Sequence, residues 1–424
     1  MKYRYALNSW LWKWHFIAGL ISLPFVFLLA VTGGIYLFKD IYEDSAFAEL
    51  KTVTPGVARV DYQTQWILAE EALGRPVEKM LVPEADNQTT EFVLGKHRDK
   101  VSVYVDPYKA EVTGAVAIKD TLMFDIRKLH GELLLGAYGT KVVELVASWC
   151  FVLIITGIYV WWPKGGFTLV SLYRIRRGEG KRIFYRDLHA VLGFWLSLFL
   201  LIILAGGMPW TDVFGGQFKR LQQLTDSGYP ATYKSSRGLQ SEISGQPLSL
   251  DDMVVIATQQ RLPGVVTITL PSARSSVFSV ANEALKLSDE RVIHFDQYSG
   301  RQLLAHNWAD VGGMAQGREV VMRLHQGQFF GLPDWLLVLL VAVMLSVTSI
   351  AALLTYLLRK PAGRWGVPRV PAEFKAGTSL LVMIVALGLF FPLFGASLVV
   401  ISLAMLWTKR RQAKRQLSGG VGVS

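Results

Sequence analysis

The chain has a single cysteine, Cys150, in 424 residues. One thiol excludes an intrachain disulfide framework, a Cys-based zinc site and a thiolate-held iron–sulfur cluster within one chain. Cys150 lies inside an apolar run and reads as a small buried apolar residue. Charge is scarce as well. Only 18% of residues are Asp, Glu, Lys or Arg, 51% are hydrophobic, and the mean hydropathy is +0.33. A soluble protein of this size carries more charge, so the composition predicts an integral membrane protein. Nucleotide motifs are missing too. No Gly-rich fingerprint follows a strand, and there is no P-loop and no His-Glu-x-x-His zinc site. GGMPW (206–210) and AYGTK (137–141) are too short, and wrongly placed, for phosphate binding.

Long apolar runs are plentiful. Residues 16–38, 142–162, 190–210 and 334–358 each reach the roughly 20 residues a membrane-crossing helix needs. The first run is longer than the apolar core of a signal peptide and reads as a retained helix. A fifth run, 377–407, is too long for one ordinary span and carries Pro392 near its middle. It reads either as a single fifth span or, if FFPLFG (390–395) is a turn, as a helical hairpin, which charge favours because it returns KRRQAKR to the cytoplasm. The net charge is +11, from 44 Lys plus Arg against 33 Asp plus Glu. The basic residues cluster beside the spans, as RIRRGEGKRIFYR (174–186), RKPAGRWGVPR (359–369) and KRRQAKR (409–415). The positive-inside rule accounts for that excess, and nucleic acid is discounted as a partner. The same rule, with Lys2, Arg4 and Lys13, places the amino terminus in the cytoplasm.

Two polar segments then fall on the outer side. Each reads as a helix followed by alternating strands. Residues 63–74 and 249–262 are the helices. The strands are 91–95 and 101–106 in the first segment, and VVTITL, SVFSVA and RVIHFD in the second. VYVDPYKAEVTG (103–114) matches VIHFDQYSGRQLL (292–304) as strand, Asp and turn. The expected fold is therefore an integral membrane α-helical bundle with two periplasmic α+β domains, built by internal duplication. It has four main transmembrane helices plus a C-terminal helix or hairpin. The expected order is a first helix in 1–38, an outer domain in 39–129, a helix with its entry segment in 130–162, and a basic loop in 163–188. The second half has a helix in 189–210, an outer domain in 211–324, a helix with its entry segment in 325–358, and a loop in 359–376. A membrane helix or hairpin in 377–408 and a basic tail in 409–424 complete it.

Of seven histidines, four stand at the entrances to spans: His15, His130, His189 and His325. RKLHGELLLGAYG (127–139) and MRLHQGQFFGLPD (322–334) each place Gly six residues after the His. WHFIAG and LHAVLG place Gly19 and Gly193 four residues after His15 and His189, and Gly33 and Gly207 follow at eighteen. Eighteen residues are about five helical turns, so each glycine lies on its histidine's face. An imidazole to ligate iron, with small residues where a flat macrocycle lies against backbone, is what a haem between helices needs. A partly buried imidazole also stays neutral, the form that binds iron. Topology pairs His15 with His189 near the inner face and His130 with His325 near the outer face. That predicts bis-histidine ligation of two b-type haems. The connecting segments after His130 and His325 are expected to extend or re-enter their helices. His97, His294 and His306 lack the pattern and read as solvated or structural. Trp10, Trp12, Trp14 and the pair Trp161–Trp162 read as interfacial belts.

The four span regions and YVDPYKAEVTG together resemble the bacterial PepSY-associated transmembrane proteins. WHFIAGLISLPFVFLLAVTGGIYLF is similar to that family's first helix, and LHGELLLGAYGTKVVELVASWCFVLIITGIYVWWPK to its second. RDLHAVLGFWLSLFLLIILAGGMPW and the stretch from LHQGQFFGLPDW to LLRKP are similar to the third and fourth. The second outer segment departs from the PepSY pattern, with Gln297 where Pro107 stands in the first. The resemblance implies an inner-membrane, multi-pass ferric-siderophore reductase with two haem b groups and PepSY-like outer domains. His15, His130, His189 and His325 match the family's helix-entry histidines. Flavin and nucleotide domains found in other relatives are absent, so electrons are expected from quinol or a cytoplasmic reductase. The acceptor is expected to be a ferric siderophore or another ferric chelate. Arg127, Trp210, Trp308 and Arg323 are candidate substrate residues by position. Two alternatives compete: a non-enzymatic PepSY-type regulator or sensor, and a proton-coupled transporter, for which Glu144 is the clear ionisable candidate within the main spans.

Overall fold

The computed structural model describes residues 2–161, 168–360 and 378–418. Trp162, part of the 163–188 loop, most of the 359–376 loop and the end of the 409–424 tail lie outside the described residues. The chain forms two compact units. One comprises Met1–Gly33, Leu129–Phe218 and Leu339–Ser424, and the other Gly34–Lys128 and Lys219–Val338.

In chain order, α1 (Lys2–Tyr36) is followed by the short α2 (Lys39–Ala46) and α3 (Ala48–Lys51), then α4 (Tyr62–Leu73). Strands β1 (Lys79–Leu81), β2 (Thr90–Leu94), β3 (Val101–Asp106) and β4 (Glu111–Ala117) lead to α5 (Leu122–Glu132) and α6 (Ala137–Trp161). Next come α7 (Lys181–Gly207), α8 (Val213–Leu224) and α9 (Leu250–Gln259). Strands β5 (Val265–Thr269), β6 (Val277–Glu283), β7 (Arg291–Asp296) and β8 (Gln302–Asn307) precede α10 (Gly313–Gln326) and α11 (Leu332–Leu357). The chain closes with α12 (Thr378–Phe390) and α13 (Pro392–Ser418).

Among the described residues four stretches are long and apolar enough to cross a bilayer: Trp14–Tyr36, Ala137–Trp161, Lys181–Trp210 and Leu332–Leu357. Helical bonding satisfies most of their backbone groups internally, which is what lipid demands, although Pro24 inside α1 has no N–H to donate. The fifth apolar run breaks where the sequence expected, with Pro392 opening α13, a position where its missing N–H costs nothing. The two arms turn back on each other. A Cβ on Gly395 would stand 2.2 Å from the Gly388 carbonyl oxygen, so only glycine permits the approach. The core of this unit joins Trp14, Trp149, Phe391 and Phe394. Trp149 Nε1 also donates to Ser397 Oγ at 3.0 Å. Trp14 was expected in an interfacial belt. It is buried instead, with its ring 5.5 Å from Trp149 and 5.8 Å from Phe394. The helical hairpin supplies an apolar wall that hydropathy alone does not locate.

The other unit differs from expectation more. The two outer segments do not build separate sheets. They share one eight-stranded sheet in the order β4-β3-β2-β1-β5-β6-β7-β8. The junction is the antiparallel β1–β5 pair, where Met80 faces Ile268 and both are fully buried. Helices α4 and α9 supply Ala69, Leu250, Met253 and Ala257 to one core with both sets of strands. Their N-termini cap each other. Asp251 accepts from the backbone N–H of Tyr62 (2.8 Å) and Gln63 (3.1 Å), while Gln63 Oε1 accepts from Leu250 N–H at 3.1 Å. A four-stranded meander alone leaves an edge at β1 or β5, and pairing the two edges removes both.

The halves share detail as well. Register shifts fall at Tyr104/Val105 and His294/Phe295. Asp106 Oδ1 accepts the N–H groups of Tyr108 and Lys109, as Asp296 Oδ1 accepts those of Tyr298 and Ser299. Gln297, the departure from Pro107, donates through Nε2 to the carbonyls of Ala273, Arg274 and Ser276. It ties down the β5–β6 loop, to which the Tyr298 hydroxyl also donates at the Arg274 carbonyl, as the Tyr108 hydroxyl does at the Asp86 carbonyl in the matching β1–β2 loop.

A candidate histidine site in the helical unit

His15 lies one residue into the first span, on α1, and its Nδ1 is 2.6 Å from Thr156 Oγ1 on α6. His189 lies on α7, and its Nδ1 is 3.1 Å from the Thr348 carbonyl oxygen on α11. His15 thus ties α1 to α6, His189 ties α7 to α11, and α6 packs against α7. Among the described residues no hydrogen bond reaches Nε2 of either ring.

His130 is seated in the same way. Its Nδ1 is 3.1 Å from Thr32 Oγ1 on α1. It does not sit on an extension of α6: α5 ends at Glu132, and residues 133–136 break the chain before Ala137. Leu133, Leu134 and Gly136 all take positive φ in that break. His325 stands in the last turn of α10, before Gly327 in the left-handed conformation at φ 69°, and belongs to the sheet unit. It too lies outside α11, which begins at Leu332.

The glycines divide by role. Gly33 lies against His130, where a Cβ would stand 3.1 Å from Cε1. Gly33 thus serves a different histidine from the one whose helical face predicted it. Gly157 has the matching place against His15, at 3.4 Å from Cε1. Gly193 faces open space one turn beyond His189, whose side chain is itself exposed. Gly19 makes ordinary contact with Leu153, and Gly207 ends α7 half-buried. Helix periodicity finds a residue's face but not the helix that face meets. Thr32, Thr156, Gly157 and Thr348 were therefore missed. The available signal was the Thr-Gly pair, present at 32–33 and again at 156–157.

Other candidates have partners of their own. Glu144 is fully buried, and its carboxylate accepts the N–H groups of Val213 and Phe214 at the start of α8. Arg323 donates to the carbonyls of Ala284 (2.6 Å) and Leu285 (3.2 Å) and pairs with Glu290. Burial lifts the Glu290 carboxyl above the usual carboxylate range against the pull of Arg323. Arg127 is exposed and lies 5.0 Å over the Phe124 ring. Trp308 packs beside Tyr233, Val311 and Ala315, and Trp210 is exposed at the end of the turn after α7. His294 is buried between Ser279 and Thr232, His306 bonds Thr232 Oγ1, and His97 is exposed in a turn at φ 54°. Among the described residues no three His, Cys, Asp or Glu side chains gather to hold a metal ion on their own.

Apolar helices of crossing length, a bundle core and an attached antiparallel sheet define a membrane protein. The family model for the PepSY-associated TM region matches residues 12–359, and the chain belongs to that family. No curated protein matches it.

Proposed function

We propose that the protein is a haem b-containing oxidoreductase of the bacterial inner membrane. In this reading it carries electrons to a periplasmic acceptor, ferric iron held by a siderophore or another chelate. The observation that carries the reading is the matched seating of His15 and His189. Each imidazole has Nδ1 tied to a neighbouring helix and Nε2 without a hydrogen bond among the described residues. A porphyrin supplies four of iron's ligands, so two imidazoles suffice where a protein-only metal site needs three or more side chains. The residues fit a flat ring. Gly157 lets the His15 imidazole approach α6, and Gly193 leaves room beside His189. For a second haem the sequence offers His130 and His325.

A bound haem would supply a one-electron carrier. The chain's own task is placement: holding each imidazole oriented, through its Nδ1 contact, among apolar helices. Reducing a chelated ferric ion weakens its hold by hard oxygen ligands, so one electron releases the iron. The basic segments at 174–186 and 409–415 favour the cytoplasm for the ends that would receive electrons, from quinol or a cytoplasmic reductase. The sheet unit would then lie on the periplasmic side, its two similar halves the product of an internal duplication. A proton-relay transporter is less well supported, because Glu144 is committed to the α8 amides.

Stopped-flow reoxidation of the dithionite-reduced protein tests the acceptor. Mixing with a ferric chelate is expected to restore the oxidised spectrum and yield ferrous iron trapped by ferrozine. A reduced spectrum unchanged by several ferric chelates would remove that acceptor class.

A further inference from the structure

We infer that Thr156 and Thr32 are positioning residues that fix the tautomer of His15 and His130, placing the ring lone pair on Nε2, the nitrogen that in His15 takes no hydrogen bond among the described residues. The inference rests on the haem reading for what Nε2 binds, but the tautomer follows from hydrogen bonding alone.

A threonine hydroxyl has one hydrogen to give. Thr156 Oγ1 gives it to the Val152 carbonyl at 2.7 Å, and Thr32 Oγ1 gives it to the Leu28 carbonyl, also at 2.7 Å. Such back-bonding to the fourth residue before is usual for Thr in a membrane helix and does not need a histidine. Its consequence here is specific. With its hydrogen spent, each oxygen can only accept from the imidazole facing it, so Nδ1 must carry the proton. Nδ1 of His15 is 2.6 Å from Thr156 Oγ1, and Nδ1 of His130 is 3.1 Å from Thr32 Oγ1. A neutral imidazole protonated at Nδ1 has its lone pair at Nε2. His189 reaches the same state more directly, because its partner, the Thr348 carbonyl, can only accept.

The device occurs twice in reciprocal form. The crossing stretch of α1, Trp14–Tyr36, carries His15 at one end and Thr32-Gly33 near the other. The α5–α6 segment carries His130 and Thr156-Gly157. Each histidine meets the other segment's Thr-Gly pair. Threonine sets the proton, and glycine admits the ring edge: a Cβ would stand 3.4 Å from His15 Cε1 and 3.1 Å from His130 Cε1. An acceptor on Nδ1–H makes the imidazole a stronger electron donor and favours the ferric state. Removing the acceptor should raise the midpoint potential.

The test is an equilibrium redox titration, followed optically, of the full-length wild type, Thr156→Val, Thr156→Ser and Thr32→Val. Valine keeps threonine's volume and removes the hydroxyl; serine keeps the hydroxyl. The component diminished in His15→Ala should titrate at higher potential in Thr156→Val and return to the wild-type potential in Thr156→Ser. Thr32→Val should leave that component in place and move the other. Loss of haem in Thr156→Val with retention in Thr156→Ser would also support the assignment. Wild-type potential and haem content in Thr156→Val would overturn it and leave the haem reading standing, as would equal haem loss in the Val and Ser variants. A wild type without haem bands would overturn both.

Discussion

The two carboxylate oxygens of Glu144, fully buried in α6, accept the backbone N–H groups of Val213 and Phe214 at 2.8 and 2.9 Å. The first amides of a helix have no partner within it, and a carboxylate there also meets the positive end of the helix dipole. Glu144→Ala would leave both amides unpaired and destabilise the helical unit by about 3 kcal/mol. Glu144→Gln keeps one acceptor and should lose less. Thermal melts in detergent measure the order, and an unchanged Tm for Glu144→Ala would show that water replaces the carboxylate at little cost.

Gly33→Ala should disturb its site more than Gly157→Ala, because the added methyl meets His130 at 3.1 Å but His15 at 3.4 Å. Overpacking of this kind costs about 1–3 kcal/mol. Absorbance per protein at the proposed haem's Soret band, with Tm alongside, should fall further for Gly33→Ala. The reverse order would place the crowding elsewhere.

His294, 1% exposed, donates from Nε2 to the Thr232 carbonyl at 2.8 Å, and its Nδ1 accepts from Ser279 Oγ at 2.7 Å. Burial pushes its pKa below the ordinary 6.5, and the neighbouring His306 pushes the same way. Between the folded and unfolded values only the unfolded chain binds the proton. Stability of the sheet unit is therefore complete above pH 6.5 and declines as pH falls through that value. His294→Gln, which retains a donor, should flatten that decline. Tm against pH for both proteins measures it, and parallel curves would exclude His294 as the cause.

The β1–β5 junction should make the two halves of the sheet unfold together. Ile268, fully buried opposite Met80, is its centre. Ile268→Ala should cost about 2–5 kcal/mol. In hydrogen exchange, β2–β3 and β6–β7 should lose protection to the same extent. Loss confined to β6–β7 would show two independent halves.

Much of this architecture is legible in the chain. The four spans follow from apolar length, β7 coincides with RVIHFD, and the hairpin break follows from Pro392. What was not legible depends on partners distant in sequence. β1 has three residues, too few for an alternating pattern, and exists because β2 and β5 flank it. The same pairing turns two expected domains into one sheet. At the site, periodicity placed Gly33 on the face of His15, yet its neighbour is His130, on a segment nearly a hundred residues later. Nothing in the sequence near Thr156 names its partner, because His15 lies on a helix far earlier in the chain.

The most direct measurement is the dithionite-reduced minus oxidised absorption spectrum of the purified protein, with haem quantified per chain, for wild type, His15→Ala and His189→Ala. The expected result is b-type bands in the wild type, with the same component lost in both variants, because both imidazoles are proposed to grip one haem. A folded wild type without bands, or two variants that keep the full wild-type spectrum, would contradict it.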